Sequence, residues 1–123
     1  MKKVFTEKAP AAIGPYSQAV ISNGIVFTSG QIAIVPEKGE IVSDTVEGQT
    51  RQVCENLSEV LAAAGSSLDK AIKTTCFLRD IGDFSKFNAI YAEYFAGKPA
   101  RSCVAVKDLP KGALVEIEVI AEL

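Results

Sequence analysis

Arg101 is the residue whose type and setting most clearly indicate chemistry. It lies in residues 100–107, where alternating side-chain types predict a β-strand, and it shares one strand face with Cys103 and Ala105. Arginine is rarely placed against apolar residues without a partner, and its planar guanidinium suits bidentate contact with a carboxylate. We therefore expect an anion at Arg101. The composition favours a carboxylate of the protein itself, and the carboxylate of a small ligand is the alternative.

A strand at the end of the chain carries acidic side chains that could act with such an arginine. In residues 114–123, Glu116, Glu118 and Glu122 share one face with two apolar side chains. Three glutamates on one face usually indicate a solvent-exposed face, but a carboxylate near Arg101 could instead orient a water molecule. The opposite face is expected to be core and consists of Val115, Ile117, Val119 and Ala121.

Five further residues could line a binding site, and each also has a structural interpretation. Ser29 and Gly30 end a predicted strand, where a glycine usually forms a turn but can also let another group approach the backbone. Tyr16, in a loop with a glycine and a proline, is either a packing residue or a proton donor. Asn88, within a predicted helix, either faces solvent or donates to a ligand. Cys103 has no histidine to activate it, so we favour a small, apolar-like role there.

The absence of histidine excludes much common enzyme chemistry. The chain cannot form a Ser-His-Asp or a Cys-His catalytic arrangement, and it cannot form a metal site with imidazole ligands. The cysteines, Cys54, Cys76 and Cys103, are odd in number and lack CxxC spacing, so neither a disulfide framework nor a thiolate metal site is indicated. Acid–base work would fall to carboxylates, lysine, tyrosine, cysteine, backbone groups or water. A net charge of -2 without a basic patch argues against a nucleic-acid-binding surface.

The chain shows neither a membrane segment nor a targeting segment. Residues 1–8 have no apolar run behind their charges, unlike a secretory signal peptide, and no window consists of 18 uncharged apolar residues. We therefore expect a cytoplasmic protein with reduced cysteines and no membrane partner. The 123 residues fit one domain, 1–123, with a core large enough to need no disulfide or metal.

A β-hairpin is the clearest of the elements that must position these side chains. Asn23-Gly24 separates two apolar runs, and both turn residues of such a hairpin need positive φ. The paired strands are residues 18–22 and 25–29. Two more strands are the ones already described at 100–107 and 114–123. The others are predicted at 3–6, as an edge strand, at 71–79, and near Ile41, as a short strand. Residues 9–16 and most of 32–45 are predicted to be loops.

Two helices complete the predicted fold. Residues 46–64 follow helical spacing, with Thr45 as the N-cap and Gly65 just past the end. Residues 83–95 place aromatic side chains on one face, with Asp83 as the expected N-cap. The order hairpin, helix, strand, helix, strand, strand predicts an α+β fold in which both helices cover one face of a mixed sheet.

Several segments occur in an order that resembles one protein family. They contain Gly14-Pro15-Tyr16, Ser29-Gly30-Gln31, Asn56-Leu57 with residues 62–65, and Pro99-Ala100-Arg101-Ser102. On these segments, which span nearly the whole chain, the sequence resembles the RidA/YjgF family of reactive-intermediate deaminases. The resemblance implies a chorismate-mutase-like fold and a homotrimer whose three sheets form a central barrel, with active sites in clefts between subunits.

The resemblance also implies a reaction. It is the hydrolysis of 2-aminoacrylate, or its tautomer 2-iminopropanoate, to pyruvate and ammonia, and of 2-iminobutanoate to 2-oxobutanoate, without a metal or an organic cofactor. Arg101 would bind the substrate carboxylate, and Glu116 would place the attacking water together with a backbone carbonyl near Cys103. The other residues that the resemblance assigns to the cleft are Tyr16, in a catalytic role, and Ser29, Gly30, Cys103 and Asn88, as substrate contacts.

The sequence departs from the family pattern at one place and leaves two other functions open. Only Ala96-Gly97-Lys98 separates the second predicted helix from Pro99, a shorter connection than family members usually have. Because some relatives have been called translation inhibitors or ribonucleases, an RNA-acting protein is one alternative. A trimer that binds small carboxylates without turnover, as a sensor or chaperone-like protein, is the other. Glu116 distinguishes this binder from the deaminase, because a pure binder needs no carboxylate to orient water.

Overall fold

A computed structural model describes the whole chain, residues 1–123. Two helices, α1 (Val46–Ala64) and α2 (Phe84–Tyr94), accompany eight strands. The strands are β1 (Lys2–Val4), β2 (Ala19–Ser22), β3 (Ile25–Thr28), β4 (Ile34–Val35), β5 (Glu40–Ile41), β6 (Ala71–Leu78), β7 (Ala100–Ala105) and β8 (Val115–Glu122). Short 3-10 turns occupy Leu68–Lys70, Ile81–Asp83 and Pro110–Gly112.

Six strands form one mixed sheet in the order β1-β2-β3-β8-β6-β7. All neighbours are antiparallel except β6 and β7, which are parallel because α2 crosses over between them. Their register pairs Thr74 with Arg101 and Cys76 with Cys103, so these four side chains share one face. The predicted α+β fold with a mixed sheet is confirmed.

The predicted hairpin is confirmed as β2 and β3. Its turn residues, Asn23 and Gly24, have φ angles of 51° and 77°, the positive values that the Asn-Gly pair indicates. The strand expected near Ile41 is β5. It pairs with β4 in a separate two-stranded ribbon. Strand β4 was not predicted, because two residues within a loop show no periodicity.

Both predicted ends of α1 are confirmed. The Oγ1 atom of Thr45 accepts a hydrogen bond from the Gly48 amide at 3.1 Å, an interaction that typically stabilises a helix by about 1 kcal/mol. Gly65 has a φ of 87°, and its amide donates to the Ala62 carbonyl. The buried stripe of α1 includes Val53, Leu57, Val60 and Leu61.

Asp83 occupies the N-cap position of α2, as predicted, but its side chain does not cap the helix. Asp83 has φ near -85° and ψ of 0°, and its side chain accepts no capping hydrogen bond. A 3-10 turn, Ile81–Asp83, leads directly into α2. The side-chain cap lies at the start of that turn, where Asp80 accepts from the Gly82 amide at 2.8 Å. The sequence pattern could not distinguish the two aspartates, because both precede the aromatic stripe.

The two helices cover the same face of the sheet, as predicted. The β8 side chains that were expected in the core are buried, and aromatic side chains of α2 join them. On the opposite face no helix of this chain covers the sheet, and Phe27 and Val104 expose 41% and 47% of their surface. Neither helix combines the length and the apolarity needed to cross a bilayer.

Candidate active site

Arg101 projects from the edge strand β7 toward α2. Its Nη1 atom donates a hydrogen bond to the Asn88 side-chain oxygen at 2.6 Å. Its Cζ atom lies 4.8 Å from the ring centroid of Tyr91 and 5.5 Å from that of Phe84. The protein carboxylate that composition favoured as its partner is not found, since the one ion pair in the chain joins Arg51 to Glu93. The guanidinium therefore retains donors for an external anion.

An open cavity of about 470 Å³ lies beside Arg101. Its lining includes two cationic side chains and no acidic one. The short connection noted in the sequence forms part of the wall, where Lys98 has a φ of 53°. The lining residues are Asn88, Tyr91, Ala92, Phe95, Ala96, Lys98, Pro99 and Arg101.

A second cavity, of about 330 Å³, brings together three of the other predicted site residues. Tyr16, Gly30 and Glu116 all line it, although they are far apart in sequence. Gln31 brings Gly30 next to Glu116, because its backbone pairs with that of Ile117 through hydrogen bonds of 2.9 and 3.2 Å. The cavity is a partly apolar pocket whose wall carries one carboxylate, one phenol and the ammonium group of Lys111.

Gly30 and Glu116 are in close contact. A Cβ atom added at Gly30 would lie 2.8 Å from Cδ and 3.1 Å from Cγ of Glu116, and closer still to its Oε2. Only a residue without a side chain leaves that space for the carboxylate. The close approach that a strand-end glycine can permit is thus made here by the Glu116 side chain.

Ser29 holds the loop that carries Tyr16. Its Oγ donates to the Ser17 carbonyl at 2.6 Å, and its amide donates to the Gln18 carbonyl at 2.9 Å. The Tyr16 side chain on this loop is open to solvent, with 53% of the residue exposed. The hydroxyl proton of Ser29 is already engaged, so toward a ligand this hydroxyl has only acceptor capacity left.

Burial sets the protonation of the candidate groups. It raises the pKa of the half-buried Glu116 above the ordinary value, and the neighbouring charge of Glu118 raises it further. Burial also raises the pKa of the Cys103 thiol, although Arg101 opposes the shift. Cys103 is therefore a neutral thiol near pH 7, which agrees with the apolar-like role favoured for it. Burial raises the pKa of Cys76 to about 12.

The two cavities lie on opposite faces of the sheet. Arg101 pairs with Thr74, which is buried under α2, whereas Glu116 pairs with Phe77 on the alternate positions of β6. Val115 and Ile117 flank Glu116 in sequence and point into the core, so Glu116 points away from it. One chain therefore does not bring Arg101 and Glu116 together.

Sequence reasoning missed Tyr91 and Phe84 as neighbours of Arg101. Both were assigned only to the apolar stripe of the second helix. A signal was nevertheless present: Phe84, Asn88 and Tyr91 are spaced by four and three residues, which places all three on one helix face. Since Asn88 was a candidate site residue, its helical neighbours could have been included.

Comparison with known proteins shows extensive similarity in sequence. Residues 6–123 match the family model described as Endoribonuclease L-PSP. The chain is 56% identical over 124 residues to AldR of Lactococcus lactis, named as a regulator, with 100% of this chain and 98% of AldR covered. It is 52% identical over 121 residues to the chloroplastic Reactive Intermediate Deaminase A of Arabidopsis thaliana, covering 98% and 65%. It is 47% identical over 121 residues to the 2-iminobutanoate/2-iminopropanoate deaminase of Rattus norvegicus, covering 98% and 88%.

Solved structures show the same similarity in three dimensions. A Thermotoga maritima protein superimposes with a TM-score of 0.97 at 48% identity, with 100% of this chain and 98% of that chain covered. Escherichia coli TdcF, crystallised with bound serine, superimposes with a TM-score of 0.94 at 44% identity, covering 100% and 99%. The fold described above is therefore shared with proteins whose sequences are nearly half identical to this one.

Proposed function

This chain belongs to the RidA/YjgF family, whose model carries the Endoribonuclease L-PSP description, and we propose that it is a cofactor-independent deaminase of small 2-imino and 2-enamino acids. The observation that carries the proposal is that the Arg101 guanidinium forms no ion pair within the chain. It is held by an amide and two aromatic rings beside an open cavity, with no carboxylate of its own chain to neutralise it. The carboxylate of a 2-imino acid would complete that environment.

The hydrolysis depends more on positioning the substrate and the attacking water than on a strong acid or base. Water adds to the C=N carbon of the protonated imine, the C–N bond of the resulting carbinolamine breaks, and ammonia and a 2-oxo acid are released. Arg101 would hold the substrate carboxylate, and Glu116 would accept a hydrogen bond from the attacking water. Fixing both reactants in one cleft can supply much of the rate acceleration.

A second copy of the chain would bring those two groups together. The Arg101 cavity and the Glu116 cavity are both open, and they lie on opposite faces of one sheet. We infer a homotrimer in which the Arg101 side of one subunit meets the Glu116 side of the next. Phe27 and Val104 support such an assembly, because they leave apolar area exposed on the face that no helix of this chain covers.

Backbone groups and relatives add support to the proposal. As the terminal strand of the sheet, β7 leaves one row of amides and carbonyls unpaired, including those near Cys103. A water molecule between Glu116 and such a carbonyl would have two acceptors. TdcF binds serine, a small amino acid with one carboxylate, on the same fold.

The proposed function is tested by coupling the purified protein to a threonine or serine dehydratase and following 2-oxo acid release. We expect release faster than the spontaneous hydrolysis of the imine in a matched reaction without the protein. A rate equal to the spontaneous one, at protein concentrations up to that of the dehydratase, would exclude the deaminase. Cleavage of added RNA under the same conditions would point instead to the ribonuclease alternative.

Gly30→Ala is expected to reduce kcat/KM at least about tenfold, because displacing a catalytic group by roughly 1 Å can cost on the order of 100-fold. The new methyl group would overlap the Glu116 carboxylate and push it from its position. The φ of Gly30 is not positive, so alanine leaves the backbone unstrained and the protein folded. Steady-state kinetics of the coupled reaction, with thermal unfolding of both proteins, measures the effect.

The matched control for that substitution is Gly97→Ala. Gly97 lines neither cavity, although its neighbours Ala96 and Lys98 line the first. It also lacks positive φ, and a Cβ there would lie 3.5 Å from the Asp69 carbonyl, an ordinary contact. We expect its kcat/KM to remain within about twofold of wild type, since the added methyl needs no neighbour to move. An active Gly30→Ala enzyme would show that the position of Glu116 does not limit the reaction.

The pH profile of kcat/KM is expected to show an acid limb above pH 4.5, the ordinary pKa of glutamate. Burial raises the pKa of Glu116, so as the pH falls this carboxylate is protonated earlier than an exposed one would be. The protonated form accepts hydrogen bonds poorly, and activity is therefore lost as the pH falls through the raised pKa. Initial rates corrected for spontaneous hydrolysis, over roughly pH 4 to 8, would locate the inflection.

Glu118→Gln provides the test of that assignment. Removing the charge of Glu118 removes one cause of the raised pKa, so the inflection should move to lower pH while the rate above it stays the same. An acid limb that does not move in this variant would mean that another group controls it.

A further inference from the structure

Tyr91 lies beneath the charged end of Arg101. The Arg101 Cζ atom is 4.8 Å from the Tyr91 ring centroid, within the distance at which a guanidinium is attracted to an aromatic face. The ring of Phe84 is more distant, at 5.5 Å. The Asn88 oxygen accepts one of the five guanidinium N–H groups, so the remaining donors are available to a ligand.

The Tyr91 ring is itself fixed in place. Only 6% of the residue is exposed, and its hydroxyl lies 2.7 Å from Oγ1 of Thr74, which is fully buried. The ring stacks on that of Phe95, with centroids 4.4 Å apart and an interplanar angle of 20°. The ring of Phe87 packs against it at 5.5 Å. Tyr91 thus has little rotational freedom and little solvent contact to lose when a ligand binds.

The sheet register connects this ring to the backbone of Arg101. Thr74, which anchors the Tyr91 hydroxyl, is the residue on β6 that pairs with Arg101 on β7. The backbone of Arg101 is therefore placed by its pairing with Thr74, and its guanidinium is placed by a ring that the same threonine holds. An arginine side chain otherwise loses considerable rotamer entropy when it is ordered by a ligand.

We propose that Tyr91 is a positioning residue that orients the Arg101 guanidinium for carboxylate binding, with Thr74 anchoring its hydroxyl. This proposal rests on the proposed function, in which the carboxylate belongs to an imino acid substrate. Because Tyr91 acts through Arg101 and not on the reacting carbon, its loss should weaken carboxylate binding and leave kcat nearly unchanged.

The experiment compares Tyr91→Leu and Tyr91→Phe with the same substitutions at Tyr94. Tyr94 is on the same helix and its hydroxyl also bonds to a neighbour, Glu55 at 2.9 Å, but its ring does not contact Arg101. We expect Tyr91→Leu to raise KM, and the dissociation constant of the product 2-oxobutanoate, on the order of 3- to 30-fold. Tyr91→Phe keeps the ring and should lose less, and the Tyr94 variants should match wild type within about twofold.

A purely structural role for Tyr91 is excluded by changing only the electronics of the ring. Replacing Tyr91 by phenylalanine and then by trifluorophenylalanine keeps the shape but weakens the negative face of the ring. From the phenylalanine variant to the trifluorophenylalanine variant, affinity for 2-oxobutanoate should fall while the melting temperature stays the same. Equal affinity in both variants would overturn the proposal.

Measuring product binding separates this proposal from the proposed function. If the wild type binds 2-oxobutanoate without deaminating imines, and the Tyr91 variants bind it more weakly, the deaminase is wrong and the positioning role stands. If the wild type deaminates while Tyr91→Leu keeps the wild-type KM and product affinity, the positioning role is wrong and the deaminase stands. A wild type that neither deaminates nor binds the product overturns both.

Discussion

Replacing Arg101 by lysine is expected to lower kcat/KM for 2-iminobutanoate by about 100-fold, chiefly through a higher KM. Lysine keeps the charge but cannot present two parallel N–H groups to a carboxylate. Its ammonium would also lack the planar stacking surface that the guanidinium places over Tyr91. The release of 2-oxobutanoate in the dehydratase-coupled assay, measured over a range of imine supply, gives both constants.

The control for this result is Arg51→Lys. Arg51 is also an exposed arginine, but it pairs with Glu93 at 3.0 Å and lines neither cavity, so its replacement should leave the kinetics unchanged. Arg101→Lys should sediment like the wild type. If it unfolds or dissociates instead, Arg101 serves mainly to hold the structure together. If it folds and retains full activity, the substrate carboxylate is bound elsewhere.

Glu116→Gln is expected to lower kcat on the order of 100-fold, the loss that misplacing a reactant by roughly 1 Å can cause. Glutamine has the same shape and still fits against Gly30, but its amide accepts hydrogen bonds from water more weakly than a carboxylate. Substrate binding through Arg101 should persist, so KM should change little. Glu118→Gln, two residues along the same strand face, should retain the wild-type kcat at neutral pH. A Glu116→Gln enzyme with wild-type kcat would remove the water-placing role.

Mixing the two inactive variants tests whether the site lies between subunits. If each site takes Arg101 from one subunit and Glu116 from the next, random mixed trimers of Arg101→Lys and Glu116→Gln recover intact sites. In each trimer that contains both variants, about one site in three would then have both wild-type residues. A site formed within one chain would recover none. Co-expression with two different tags, followed by purification on both, isolates the mixed assemblies for assay.

The Endoribonuclease L-PSP description of the family model has a weaker physical basis in this chain. Proteins that act on RNA generally hold its phosphates along a cationic surface. The sheet face that no helix covers carries Glu116 and Glu118 as well as Lys3 and Lys73, so its charge is mixed, and the net charge of the chain is -2. The cationic character of the first cavity comes from Arg101 and Lys98 alone, which suits a small carboxylate better than a polyanion.

Local sequence signals were sufficient for most of the elements. The Asn23-Gly24 turn, the Thr45 cap and the Gly65 end of α1 were correctly predicted, because each depends on the backbone preferences of one or two residues. The alternation of β8 correctly separated its core face from its acidic face. Asp83 precedes α2 as predicted, but the side-chain cap is made by Asp80, because a 3-10 turn without periodicity of its own comes before the helix.

The sequence by itself predicted which residues could carry chemistry: Arg101 by its type and strand alternation, and Glu116 through the family resemblance. It also excluded histidine chemistry and, through the order of its motifs, indicated the family. Only the tertiary structure decided where those residues lie relative to one another. Placing β8 between β3 and β6 puts Glu116 on the face away from Arg101, and the parallel pairing of β6 with β7 sets Arg101 over Tyr91. Both outcomes depend on pairing between distant segments, which no local pattern encodes.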